Sequence, residues 1–272
     1  MKIKVTPFTS QHAHLEGEYK FGNFYYLAEF HSAGIVTEIE EGDDWLESET
    51  SWVSRSELPL VTAIRLAQLQ SSRHLVEGCL TPIIKKHNCF YIIKDVEAFP
   101  SEDECRQLIY KYSGYALNGG IRFYKRNLPV DVVAKIMDGL DVNKDLLARA
   151  ASCLYKAHLL LNTSTVFAEE IYTVCYIALE AIIEHVKITQ GISKEEAIMA
   201  IGALVVKKEP GIDLKEYEEE IREGIRNNII HPFRSSSGEM NAQPTLMAEY
   251  VYDELGFIDW LFGELLIDKK LI

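Results

Sequence analysis

NKDLLARAASCLYKAHLLL, residues 143–161, places Leu146, Leu147, Ala150, Leu154, Ala157, Leu160 and Leu161 three or four positions apart. That spacing gathers them into one broad stripe on a helix, whereas a half-buried strand would alternate every second residue. Asp141 or Asn143 supplies a side-chain oxygen for the unpaired N–H groups of the first turn. The stretch therefore predicts a long amphipathic helix.

The same period continues towards the C-terminus. A second helix is expected over 166–187, with Ile171, Val174, Cys175, Ala178, Leu179, Ile182 and Ile183 at core spacing and Gly191 at or just past its end. Ser193 followed by Glu196 is a capping-box pattern that opens a third helix through Ala197, Ile201, Leu204 and Val205, and Pro210-Gly211 punctuates its end. A fourth helix starts after Asp213 and runs to His231, because Pro232 pushes the residue before it out of helical geometry. Ser235-Ser236-Ser237-Gly238 reads as a loop. A fifth helix over 245–266 buries Met247, Val251, Leu255, Ile258, Leu261 and Leu265. Five helices joined by short connections predict an all-α antiparallel bundle.

Upstream of Pro129 the character is different. Residues 24–30 and 89–93 are aromatic and β-branched runs that suit strands, while 58–69 fits either a helix or a buried strand. Asn118-Gly119-Gly120 between Tyr115-Ala116-Leu117 and Ile121-Arg122-Phe123-Tyr124 is a hairpin signal, since Asn and Gly accept positive φ. Residues 130–137 read as a short linking helix. The expected class is α+β: a mixed α/β domain over 1–128, then the helical bundle over 129–272.

Bulk properties narrow the function. The first twenty residues contain no apolar core of a secretory signal. The most apolar C-terminal stretch is broken by Asp253, Glu254, Asp259 and Glu264, short of the roughly 18 uncharged residues of a membrane span. A cytoplasmic protein without membrane contact is expected. Cys79, Cys89, Cys105, Cys153 and Cys175 are scattered and include no Cys-x-x-Cys pair, so they read as reduced thiols. A formal charge of −13 repels polyanions, which argues against a protein that coats nucleic acid but leaves room for a nuclease with one small basic cleft.

One constellation carries chemistry: Arg222, then Arg226-Asn227-Asn228-Ile229-Ile230-His231. Positions i and i+4 share a helical face, so Arg222 and Arg226 stand one turn apart as a phosphate clamp, and Asn227 lies under His231 if the helix persists. A histidine at a helix C-terminus feels the negative end of the macrodipole, which favours its protonated form and suits acid–base work. The same residues also fit a plainer role, with Arg222 paired to Glu218, Arg226 to Glu223, and His231 serving as a helix-end residue. Glu180, among apolar neighbours on the second helix, requires a partner, and an arginine of the motif would serve. Weaker candidates are His12 with His14, His87 with Cys89, and the basic–aromatic run Arg122 to Arg126.

Arg226 and His231, with Asn227 first between them, form an Arg-x4-His motif at the end of the penultimate long helix. In that position, and in the segment Ala178-Leu179-Glu180-Ala181-Ile182-Ile183, the chain over 143–266 resembles the HEPN family of helical ribonucleases and nucleotide-binding modules, in its Apea-like branch. The resemblance implies metal-independent endoribonuclease activity without a cofactor, in which a ribose 2′-hydroxyl attacks the adjacent phosphate. Arg226 and Arg222 would hold the phosphate, His231 would move the proton, and Asn227 would orient either. It also implies a homodimer through the helical bundle, RNA as substrate, and a place in toxin–antitoxin or defence systems with an antitoxin or regulatory partner. A non-catalytic HEPN module for dimerisation or for RNA or nucleotide sensing is the alternative.

Overall fold

The computed structural model describes residues 1–7, 14–29, 32–39, 58–71, 90–113, 123–127, 130–163, 167–208, 211–224 and 244–272. The protein is α+β. Its chain divides into two compact units, Met1–Met137 and Asp138–Ile272.

The first unit is built on a six-stranded sheet. β1 (Lys2–Pro7), β2 (His14–Phe21), β3 (Phe24–Glu29), β4 (Ser32–Ile39), β5 (Tyr91–Ile93) and β6 (Phe123–Asn127) lie in the order β5-β1-β4-β3-β2-β6. Five of them pair antiparallel, and β6 joins β2 in parallel from His14↔Phe123 to Glu16↔Asn127, with a bulge between Leu15 and Glu16. The strand predicted at Phe123 and Tyr124 is therefore present, but in partnership with β2; the remainder of the expected hairpin, 115–122, lies outside the described residues. Gly22 opens the two-residue turn from β2 to β3 at φ 55. Space for a side chain exists there, since a Cβ would meet nothing within 4 Å, so the requirement for glycine is conformational.

Helix α2 (Glu102–Ser113) packs on β1, β3 and β4. Cys105 and Ile109 on its inner face close a core with Ile3, Val5, Tyr25, Leu27 and Val36. The opposite face of the sheet is buried too: Lys4 and Thr6 on β1, and Tyr26 and Ala28 on β3, are all sealed from solvent. Lys4 offsets the cost of a buried ammonium partly by standing 4.4 Å above the Phe90 ring. α2 begins in a capping box, in which Ser101 N–H and Oγ donate to Glu104 Oε2 and Glu104 N–H donates back to Ser101 Oγ. The ambiguous residues 58–69 form a helix, α1 (Leu58–Ser71), whose Leu60, Val61, Ala63, Ile64 and Leu66 are all buried.

Helix α3 (Val130–Gly139) contains the division between the units, past the Pro129 where the sequence changes character. The second unit consists of α4 (Asp145–Thr163), α5 (Ala168–Gln190), α6 (Lys194–Lys208), α7 (Leu214–Gly224) and α8 (Pro244–Asp268). α5 is the hub, packed against α4, α6 and α8, while α6 also holds α7. Leu147, Ala150, Leu154, Ala157 and Leu161 of α4 are buried, as the stripe predicts. Gly191 ends α5 in the left-handed conformation (φ 65, ψ 35), with Gly191 N–H bonded to Ile188 O and Ile192 N–H to Lys187 O. Ser193 N–H donates to Glu196 Oε2 and Glu196 N–H to Ser193 Oγ, forming the expected capping box. Asp213 Oδ1 likewise accepts the N–H groups of Lys215 and Glu216 to start α7.

At the far end of the unit, α3 and α8 meet at Gly139. A Cβ on this glycine would stand 2.2 Å from the Leu266 carbonyl oxygen, so only glycine fits.

Candidate functional site

The residues with predicted chemistry cluster on α7 and in the segment between α7 and α8. Leu214, Glu218 and Ile221 form the inner face of α7, at i, i+4 and i+7. A carboxylate thus sits in the middle of an otherwise apolar contact. Its partners come from two helices: Lys194 Nζ at 3.0 Å from Oε1, and Arg222 Nε at 3.8 Å from Oε2.

Arg222 therefore ends α7 with its guanidinium beside the buried Glu218, and its side chain is 46% exposed. That position is the plainer of its two readings, in which the charge is shared with a neighbour one turn back. The other three predicted residues, Arg226, Asn227 and His231, lie outside the described residues, as do Arg122, His12, His87 and Cys89.

Glu180 does not sit among apolar side chains as its sequence neighbours imply. It is exposed on α5, accepts a hydrogen bond of 2.9 Å from Tyr176 Oη, and has Lys194 Nζ at 3.9 Å. The helix turns it outward, between the buried Leu179 and Ala181, so its partners are a phenol and an ammonium and it has no need of a motif arginine.

Beside this network lies a second node. Glu254 of α8 accepts hydrogen bonds from Tyr217 of α7 and, at 3.3 Å, from Tyr172 of α5. Burial, reinforced by the Glu254 charge, pushes both phenols above their ordinary pKa, Tyr217 furthest. They are hydrogen-bond donors at every physiological pH. The Tyr217 ring stands edge-on to Phe257 at 4.5 Å, and Phe257 in turn meets Trp260 at 5.9 Å. One carboxylate thus ties α5, α7 and α8 together.

Electrostatically, this face of the described structure is balanced towards acid. Glu180, Glu218 and Glu254 stand against Lys194 and Arg222. It holds α7 in place, and it offers no surplus positive charge to a phosphate.

Sequence reasoning missed the most buried polar pair in the unit. His158 Nε2 of α4 contacts Asp259 Oδ2 of α8, with the two side chains 1% and 0% exposed. Both residues sit at positions where helical spacing predicts apolar side chains, and that mismatch is the one signal that marks them. Among the described residues, no group of three or more His, Cys, Asp or Glu is arranged to hold a metal ion, and no helix is long and apolar enough to cross a membrane.

Compared with family models, with curated proteins and with solved structures, the chain finds a match in none of the three.

Proposed function

We propose that the protein is a metal-independent endoribonuclease of HEPN type, with the second unit forming an antiparallel HEPN-like bundle. The observation that carries this reading is the Arg226-Asn227-x3-His231 motif, which lies after α7 and before α8 in a five-helix unit. In this reading Arg226 stabilises charge building on the phosphoryl oxygens, His231 removes the proton from the 2′-hydroxyl, and Asn227 orients one of them. The first unit selects the target or regulates access. Two protomers pair so that both motifs serve one groove, which concentrates positive charge in a chain of net charge −13.

The test is incubation of the purified protein with a mixed RNA pool in EDTA, beside His231→Ala and Arg226→Ala. Cleavage that persists in EDTA and disappears in both variants supports the proposal. Cleavage that survives either substitution, or that stops in EDTA, refutes it.

A second reading is a non-catalytic module for dimerisation or for RNA or nucleotide sensing. The position of Arg222 favours it, because a guanidinium committed to Glu218 has less to offer a phosphate. RNA binding without cleavage in the same experiment selects this reading.

A further inference from the structure

Helix α6 presents a face that its own fold does not use. Met199 is 71% exposed and Val206 51%, and both stand on one side of the helix with Gly202 and Ala203 between them. The spacing 199, 202, 203, 206 is that of a helix contact face, the pattern otherwise buried against a neighbour. Here it borders an open groove of about 730 Å³ that runs past Gly202 to Ile212 and Leu214 at the start of α7.

The face is symmetric about its own centre. Met199 and Val206 lie about 5 Å to either side of the point midway between Gly202 and Ala203, at a rise of roughly 1.5 Å per residue. Turned end for end, the stripe therefore meets itself with each large side chain opposite the other kind and the two small residues at the crossing, where backbones approach most closely. Gly202 gains nothing from lacking a side chain within its own chain, since a Cβ there would stand at an ordinary 3.6 Å from Leu214 Cβ.

Charge follows the same symmetry. The N-terminal turn of α6 carries Glu195 and Glu196, both exposed, and the C-terminal turn carries the exposed Lys207. An end-for-end pairing sets the carboxylates of one copy near the lysine of the other, while a parallel pairing sets like against like.

We infer that this face binds a second copy of the chain, α6 against α6 and antiparallel, across a two-fold axis at Gly202 and Ala203. Such an interface is isologous: each copy contributes the same patch, and the pairing closes at two. The inference stands on α6 alone and holds whether or not the protein cuts RNA.

Sedimentation velocity of the full-length chain over a concentration series at low salt tests it. The wild type passes from monomer to dimer, and Met199→Glu raises the dimer dissociation constant by about tenfold or more. Thermal unfolding of that variant at a monomeric concentration stays at the wild-type value, because Met199 is exposed in the single chain. Glu195→Lys and Lys207→Glu each weaken the dimer, and the two together restore it. A chain that remains monomeric throughout, a dimer indifferent to Met199→Glu, or a double charge exchange that fails to restore what either single one loses would each overturn the inference.

Discussion

Removing either partner of the His158–Asp259 contact leaves the other in the interior of the helical unit. Both side chains are essentially without solvent, and they come from α4 and α8 at positions flanked by Leu154, Leu161, Leu255 and Phe262, all buried. Breaking a buried imidazole–carboxylate pair by deleting one member costs about 3–5 kcal/mol, most of it the desolvation of the group left behind. Replacing both members by apolar residues of similar volume removes that penalty, and such exchanges are roughly neutral or stabilising. His158→Ala and Asp259→Ala are therefore expected to lose about 3–5 kcal/mol each, and His158→Leu with Asp259→Val to lose far less than their sum. Trp260, adjacent to Asp259, reports the unit directly. Replacing Trp45 and Trp52, the other two tryptophans, by Phe isolates its fluorescence in urea titrations. The reasoning fails if either alanine variant loses less than about 1 kcal/mol, or if the double apolar variant is as unstable as the singles combined.

Three further outcomes are expected. Gly139→Ala forces a Cβ to within 2.2 Å of the Leu266 carbonyl oxygen and destabilises by about 1–3 kcal/mol or more, whereas Gly202→Ala, with room in a helix interior, leaves the monomer at or slightly above wild-type stability; urea midpoints with unchanged slopes check both. The Ser193 contacts lower the Glu196 pKa. The folded carboxyl therefore binds its proton less readily than the unfolded one, and the stability it contributes is present above the ordinary glutamate pKa and is lost as pH falls through the depressed folded value. Carboxyl NMR titration of Ser193→Ala is expected to find Glu196 back in the ordinary range, and an unchanged low value counts against the capping box. Burial pushes the Cys105 thiol up to about 12, so at pH 8 it is protonated in the folded protein and alkylation followed by mass spectrometry finds it modified only after unfolding.

How much of the structure is legible in the sequence depends on how many faces each element buries. Helices α4 and α5 bury one side, so their apolar residues keep the period of 3.6, and the stops and starts at Gly191, Ser193 and Asp213 are spelled by residues whose backbone and side-chain bonds do the capping. Strands β1 and β4 are buried on both sides, which erases the alternation that marks a strand. Lys4 and Thr6 sit in the interior, and β4 starts with Ser32, Ala33 and Gly34, small because a Cβ at Gly34 would stand 2.8 Å from Thr6 O. Helix α2 hides for the opposite reason: Cys105 and Ile109 are its only fully buried residues in a run that is otherwise charged and aromatic. α1 is ambiguous in sequence because it is buried almost all round. At the candidate site, the i,i+4 pairing of Arg222 with Glu218 is readable, but the depth of Glu218 and its second cation, Lys194, are not, because a helical repeat says nothing about which neighbour arrives from another helix. His158 and Asp259 are 101 residues apart, beyond any local pattern.

The two outermost strands of the sheet are also its shortest, three residues in β5 and five in β6, against six or eight in each strand between them. A growing fibril or a swapped neighbour needs a long, straight row of unpaired amides on which to zip, and neither flank supplies one. The apolar strands that would aggregate most readily are thereby sequestered in the middle, where every ladder position is already taken. Concentrated solutions of the protein are accordingly protected against sheet-to-sheet polymerisation by strand length alone, without help from proline or from the acidic surface.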